Sequence, residues 1–487
     1  MSSTPTPRHP SMRRQAILGS LWTLFGYGAS QVLRLISNLV LARLLFPEAF
    51  GLMALVNVFM QGLQMFSDIG IGPGIIQNRR GTDPAFLRTA WTIQVFRGFA
   101  LWLLCCAAAP AVARFFAASD PMALDLRLLL PVTGLTALLG GFTSTSVFTL
   151  NRKLDMRRMT LLELVPQGIS LLFMALWAWQ HPSVWALVGG GLVFSLVRLV
   201  MSHLMNRDHR DGFAWEPEAR RELFRFGRWV FLSTVISFLA THLDRLLLGR
   251  LLTLGELGIY SIAMTLARVA IHTSSRLSSS VIFPLLSRHQ DDPPRLVDSC
   301  LRARTGVLFA SGAICSGFAL FAPLFFESLY DARYAAAGDI SRWLALYTWT
   351  HVLLVSMDRI PLALGHPRQL FLANLITTAG MTAAVAGYRL LQLPGFIAGM
   401  AFANLLSHAF LAATLPAHRR RMGLQSAAFT GAFALYTLAG VAVLETAKAA
   451  WPLLPYAALV CAAAALPFLP AGLWMLKLAR QKKRGRA

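Results

Sequence analysis

Long apolar runs separated by short polar gaps dominate this chain. A run of about 20 residues is needed to cross the hydrocarbon of a bilayer as a helix, and about fourteen runs are read at that length. They begin near Ile17, Phe50, Ala90, Leu128, Leu161, Val184, Phe226, Leu257, Val307, Trp343, Leu370, Gly395, Ala427 and Leu453. The second is interrupted by Gly70, Gly72, Pro73 and Gly74, which predicts a hinge or a discontinuous helix. The eighth carries three ionisable residues. The predicted fold class is an all-α polytopic membrane protein.

Composition sharpens that expectation. Of 487 residues, 56% are hydrophobic and 14% charged, with a mean hydropathy of +0.56. Soluble domains carry about 25% charged residues. The net charge of +23 would point to nucleic acid in a soluble protein. Here the basic clusters, such as Arg79-Arg80, Arg157-Arg158 and Arg419-Arg420-Arg421, fall in gaps between apolar runs, so no nucleic-acid partner is expected. Cys105, Cys106, Cys300, Cys315 and Cys461 show no metal spacing, and no metal or other cofactor is expected. The first run is too long for a cleavable signal and lacks a small-residue cleavage site, so it is expected to remain as the first helix.

Lys and Arg alternate in density from gap to gap, which sets orientation. With both termini cytoplasmic, about 30 of the basic residues face the cytoplasm, about 8 the opposite side, and about 7 lie in helices. The expected organisation is a cytoplasmic tail (1–16), an N-lobe of six helices (17–204) and a cytoplasmic inter-lobe loop (205–225). A C-lobe of six helices (226–416), two further helices (417–477) and a basic cytoplasmic tail (478–487) follow. An internal repeat supports the two lobes. LARLLFPEAFGLMALV (Leu41 to Val56) aligns without a gap on LGRLLTLGELGIYSIA (Leu248 to Ala263). Both segments close an odd-numbered helix and open the next, so six helices appear twice in one orientation, as in many secondary transporters.

Ionisable residues inside apolar runs carry the candidate chemistry. A charge at the bilayer centre costs roughly 2.5–3.5 kcal/mol on insertion scales, so such residues usually face a bundle interior or a wet cavity. Gln31, Arg34 and Asn38 share one face of the first helix. Arg268, His272 and Arg276, spaced by four, form a cationic stripe on the eighth, with snorkelling to the interface as the alternative. Asp244-Arg245 and Asp358-Arg359 are adjacent pairs whose members must reach different neighbours. His351 shares the face of Asp358. Arg97 and Arg198 are lone cations in the third and sixth helices, and Asp68 lies at the irregular end of the second. Arginine stays charged when buried and grips oxyanions in bidentate fashion, so the arginine excess points to an anionic cargo. Asp68, Asp244, Asp358 and His351 are candidates for coupling or gating. Interhelical salt bridges remain the alternative for these groups.

Five stretches occur in a telling order: SDIGIGPGIIQNR (Ser67 to Arg79), TAWTIQVFRG (Thr89 to Gly98), LNRKLDMRRMTLLEL (Leu150 to Leu164), THLDRLLLGRLLTLGELGIYSIA (Thr241 to Ala263) and FPLLSRHQDD (Phe283 to Asp292). As a set they resemble the polysaccharide transporter family, the Wzx-type flippases of lipid-linked oligosaccharides, in its colanic acid and exopolysaccharide branch. The likeness covers about the first 300 residues; beyond Ser341 it rests on helix count. The resemblance implies membership of the superfamily that also holds MATE exporters and the lipid II flippase, and a two-lobed bundle of about twelve to fourteen helices. It also implies transfer of an undecaprenyl-pyrophosphate-linked repeat unit from the cytoplasmic to the periplasmic leaflet of the bacterial inner membrane. Expected partners are that lipid-linked substrate, membrane lipid, and a polymerase with assembly proteins.

Catalysis finds no support in the motifs. There is no Walker A sequence, no His-Glu pair at zinc spacing and no nucleophile elbow. A MATE-like exporter of small molecules on the same scaffold is one alternative, for which acidic and aromatic cavity groups would be expected. A membrane glycosyltransferase or polymerase is another, for which a large extramembrane loop would be expected.

Overall fold

The computed structural model describes residues 12–67, 70–205, 210–288, 293–358, 360–361, 364, 366–415 and 419–468. Asp68 and Arg359 lie outside the described residues. Among those described, the regular elements are sixteen α-helices and two short 3-10 turns, with no strand. The helices are α1 (Met12–Leu44), α2 (Pro47–Phe66), α3 (Ile71–Gln77), α4 (Pro84–Ala117), α5 (Leu126–Gly141), α6 (Ser146–Arg152), α7 (Met156–Gln180) and α8 (Val184–Leu204). They continue with α9 (Pro217–Leu251), α10 (Leu254–Arg288), α11 (Pro293–Leu329), α12 (Ala336–Val355), α13 (Pro367–Ala379), α14 (Met381–Ala413), α15 (Arg419–Ala450) and α16 (Leu453–Ala465). Every apolar run named above begins on one of these helices. Among the described residues, nine helical stretches are long and apolar enough to cross a membrane, and α16 is a shorter apolar helix. The chain is a multi-pass membrane protein.

Local chemistry explains the helix boundaries. Pro47, Pro84 and Pro217 each open a helix, where the missing N–H costs nothing. Asp83 accepts from the Ala85 N–H at 3.0 Å to cap α4. Thr253 and Glu256 form a reciprocal capping box at the start of α10, with the Thr253 N–H donating to Glu256 at 2.9 Å. The glycine-rich segment does break the second span. α2 stops at Phe66, Gly70 adopts a left-handed φ of 67°, and α3 restarts at Ile71. Near the C-terminal side, Gln392 takes a φ of 55° inside α14 and separates the eleventh apolar run from the twelfth. The seventh span starts earlier than its apolar run. Residues 217–225 are already helical because Pro217 and Glu218 supply a favourable first turn.

The chain divides into two compact units. The first comprises residues up to Phe238 together with Leu248–Gly258. In it α4 packs on α5, α7 on both α1 and α8, and α5 on α8. Ser30 Oγ donates to Gln167 Oε1 at 2.9 Å and Gln167 Nε2 returns a bond to the Ser30 carbonyl, so a polar seam joins α1 to α7. The polar stretch after α8 is docked rather than loose. The Ala214 and Glu216 N–H groups donate to Thr92 and Thr89 at 3.0 and 3.1 Å. Thr145 Oγ1 donates to Asp211 at 2.8 Å, and Asn78 Nδ2 to Glu222 at 2.6 Å. Arg80 bridges Asp83 and Glu216 at 2.6 and 2.7 Å. Asp83 is held below the ordinary carboxylate range by its bond to Arg80 and by the Ala85 N–H, and the two carboxylates raise Arg80 in turn.

The first unit also contains the first copy of the repeat and Leu248–Gly258 of the second, at their point of contact. The start of α2 crosses the start of α10 with no side chain between the backbones. A Cβ on Gly51 would overlap the Leu254 carbonyl, and one on Gly258 would overlap the Pro47 carbonyl. In the repeat alignment Gly51 corresponds to Gly258 and Pro47 to Leu254. The contact is therefore reciprocal, as between two-fold related copies.

The second unit comprises Leu239–Leu247 and the residues from Ile259 onward. Here α12 packs between α11 and α14, α13 lies on α14, and α15 and α16 lean on α11. Trp349 stacks on Phe433 at 5.0 Å and donates Nε1 to Thr430 at 3.1 Å, fixing α12 to α15.

Candidate functional site

Residues predicted from separate helices gather in the second unit. His242, Asp244 and Arg245 on α9 are 2%, 4% and 8% exposed. Tyr260 of α10 is fully buried and donates its hydroxyl to Asp244 Oδ2 at 2.9 Å. Arg268, two turns further along α10, is half-buried and lies within electrostatic reach of Asp244, Arg245, Tyr260 and Tyr347 of α12. The cluster thus holds two guanidiniums against one carboxylate. Asp244 Oδ1 and Arg245 Nε are both buried without a hydrogen-bond partner among the described residues. Buried polar atoms ordinarily have one, so these two are available to a ligand.

The rest of the α10 stripe runs outward. His272 and Arg276 are exposed. His272 interacts electrostatically with His351 of α12, whose ring sits 6.2 Å from that of Tyr347. Asp358 is half-buried in the turn after α12. Its neighbour Arg359 is outside the described residues, as is Asp68.

In the first unit, Arg34 is exposed on α1, while Gln31 and Asn38 are half-buried. Gln31 Nε2 donates to the Tyr27 hydroxyl at 3.0 Å. Arg97 is half-buried and secures the end of α2, with Nε donating to Ser67 Oγ at 2.9 Å and Nη2 to the Gln64 carbonyl at 3.1 Å. The structure therefore joins Asp244, Arg245 and Arg268 in one cluster, and brings His272 within electrostatic reach of His351. It leaves Arg34 and Arg97 in a separate unit.

Sequence reasoning missed His242, Tyr260, Tyr347 and Arg304. Tyr260 and Tyr347 read as ordinary membrane aromatics, and only a cross-helix partner distinguishes them. Arg304 of α11 has no exposure and donates to Ser356, Gln425 and Ser426 at 2.8, 2.9 and 3.1 Å. It ties α11 to α12 and α15 through neutral partners. Its place in a basic segment, Arg302 to Arg304, hid it among interfacial charges. Among the described residues no group of His, Cys, Asp and Glu could hold a metal ion.

Comparison with known proteins decides the family. Residues 40–338 match the profile of the family described as polysaccharide biosynthesis protein. The chain belongs to that family. Curated relatives include the teichuronic acid biosynthesis protein TuaB of Bacillus subtilis, 20% identical over 73% of this chain and 73% of its own. The lipopolysaccharide biosynthesis protein WzxC of Escherichia coli is 25% identical over 59% of this chain and 57% of its own. Among solved structures, the lipid II flippase MurJ in an inward closed conformation aligns with a TM-score of 0.73 at 14% identity, over 95% of this chain and all of its own (100%). A multidrug MATE transporter in an inward-facing conformation aligns at 0.64 and 15% identity, over 82% of this chain and 96% of its own. This member of the polysaccharide biosynthesis protein family therefore shares the fold of those two transporters.

Proposed function

We propose that the protein is a flippase for lipid-linked oligosaccharides, a transporter rather than an enzyme. It moves an undecaprenyl-pyrophosphate-linked repeat unit from the cytoplasmic to the periplasmic leaflet of the bacterial inner membrane by alternating access. Family membership, the multi-pass helical fold and the similarity to the biosynthesis proteins TuaB and WzxC support the reading. The observation that carries it is the cluster of buried Asp244 and Arg245 with half-buried Arg268, in which two guanidiniums accompany one carboxylate.

The physical chemistry favours such a cargo. A pyrophosphate cannot cross hydrocarbon bare, and guanidinium groups offer it paired N–H donors that remain charged in a low-dielectric site. Arg34, Arg97, Arg245, Arg268, Arg276 and Arg359, with Gln31, Asn38 and His272, form the set that receives the headgroup and sugars. The prenyl chain stays in lipid throughout. Asp68, Asp244, Asp358 and His351 serve coupling or gating. Both termini lie in the cytoplasm, and fourteen spans complete the bundle. A polymerase and assembly proteins act on the delivered unit. A MATE-like exporter of cationic drugs fits the same fold, but an arginine excess around one carboxylate repels such cargo.

The test has two parts. Gene deletion should accumulate a prenyl-linked glycan detectable by mass analysis, whereas altered drug sensitivity without that intermediate would replace the reading with the exporter. Arg34→Ala, Arg245→Ala and Arg268→Ala should insert normally yet lower flipping in proteoliposomes about tenfold or more, the usual effect of losing a hydrogen bond to a charged group. Lys at these positions should fall between Ala and Arg. Wild-type rates in all three Ala variants would remove the site assignment.

A further inference from the structure

A chamber lies inside the first unit, among α2, α4, α5 and α8, with a volume of about 410 Å³. Its wall carries Arg97 and Arg198, and no acidic side chain among the described residues. The Cα atoms of the two arginines stand at similar heights. Phe142, just past α5, offers its carbonyl to Trp91 Nε1 of α4 at 3.4 Å and lies 2.9 Å from His203 Nε2 of α8. Trp91 and His203 are therefore level. Arg97 is six residues beyond Trp91, about 9 Å along α4, and Arg198 is five residues before His203, about 7.5 Å along α8. Helical side chains tilt toward the N-terminus of their own helix. That tilt carries Arg198 away from the nearby end of α8, against the direction in which it would snorkel to the interface.

The two cations differ in their surroundings. Arg97 is fixed in place by Ser67 and Gln64. Arg198 is half-buried and has no hydrogen bond or ion pair among the described residues. A guanidinium in that position calls for an anion. The hydroxyls on the same wall are oriented otherwise. Thr136 and Ser195 donate to the Thr133 and Gly191 carbonyls at 2.7 and 3.0 Å, which leaves their oxygens as acceptors toward the chamber. Gln94 commits its Nε2 to the Gly140, Gly141 and Thr143 carbonyls, which leaves Oε1 as an acceptor. Cationic donors beside a row of acceptors match an oxyanion with a hydroxylated neighbour.

We propose that this chamber binds the phosphate group of a phosphorylated, hydroxyl-bearing ligand, with Arg198 and Arg97 gripping the phosphate and Thr136, Ser195 and Gln94 accepting from the adjoining hydroxyls. Its lining comes wholly from the first unit, and it rests on the flippase reading only for the source of the phosphate. A lipid headgroup and a free phosphate share this chemistry.

The test uses the full-length protein in nanodiscs of neutral phosphatidylcholine. The probes are inorganic pyrophosphate and farnesyl pyrophosphate, with farnesol as the uncharged control, and binding is read by calorimetry. Wild type should bind at least one pyrophosphate probe and not farnesol. Farnesyl pyrophosphate alone would assign the site to a lipid headgroup, and both probes would assign it to phosphate irrespective of lipid. Arg198→Gln should weaken binding about tenfold or more and Arg198→Lys less. A measurement on the wild type guards against a variant that fails to fold. Phenylglyoxal should modify Arg198, read by peptide mass, and pyrophosphate should protect it. Absence of wild-type binding, an unchanged affinity in Arg198→Gln, or no protection would overturn the site. Transport of a prenyl-linked glycan is measured in parallel. Transport with unaltered Arg198→Gln binding leaves the flippase and removes the site. Arg198-dependent binding without wild-type transport does the reverse.

Discussion

Gly51→Ala tests the crossing of α2 and α10 directly. The added methyl would occupy the position of the Leu254 carbonyl oxygen, and the corresponding change at Gly258 would occupy that of the Pro47 carbonyl. Backbone carbonyls cannot rotate aside as a long side chain would. The helices must instead separate by roughly 1 Å or more to restore ordinary contact. Overpacking of this kind costs about 1–3 kcal/mol. At about 2–4 °C per kcal/mol for a unit of this size, the melting temperature should fall roughly 2–12 °C. Helix propensity opposes the loss by up to about 1 kcal/mol, since Ala is the better helix former. Gly28→Ala and Gly168→Ala measure that opposing effect, because a Cβ there meets nothing within 4 Å. They should be neutral or slightly stabilising. The two crossing variants report one contact from its two sides, so the separation forced by either relieves the other. The double variant should cost less than the sum of the singles by about 0.5 kcal/mol or more. The assay is thermal unfolding of purified full-length protein in one detergent, followed by loss of the monodisperse peak. Single variants that melt with the Gly28 control, or fully additive costs, would refute the reciprocal contact.

Two further outcomes follow from described side chains. Arg304→Met should destabilise the second unit by about 2–4 kcal/mol, because Ser356, Gln425 and Ser426 lose a charged donor inside the protein. Arg304→Ala should cost more by adding a cavity, and a Met variant as stable as wild type in the same thermal assay would contradict this. Asp83 supplies a pH dependence of known sign. Its carboxyl is held below the ordinary range, so its contribution is complete above about pH 4 and is lost as pH falls through the lowered value. Protease nicking across residues 210–216 should therefore be flat from pH 7 to 5 and rise below that range. In Asp83→Asn it should be raised already at pH 7.

The spans were legible because bilayer thickness imposes a minimum apolar length that any reader of the sequence can count. The break after Phe66 was legible for a different reason, since Gly70 and Pro73 restrict the backbone locally. The start of α9 was not, because residues 217–225 form a helix opened by Pro217 and Glu218 while lacking an apolar run. Site residues divide in the same way. Asp244, Arg245 and Arg268 announced themselves as charges in apolar windows. Tyr260 and Arg304 did not, since a tyrosine or an arginine near a helix end is unremarkable until its partners on other helices are known. Arg34 shows the converse: helical spacing fixed its face but could not say whether that face is covered.

The corner formed by Leu248–Gly258 carries a consequence for how such a chain could be divided. The internal repeat implies an ancestor made of two equal halves, and the polar stretch before Pro217 looks like the natural scissors point. Yet that corner clusters with the first half in space while following it by a whole helix in the chain. A fragment ending at the polar stretch would be released from the ribosome without the segment that completes it. Complementation by two co-expressed pieces should thus succeed only when the break falls after Gly258, and duplication has left a molecule whose halves are no longer interchangeable modules.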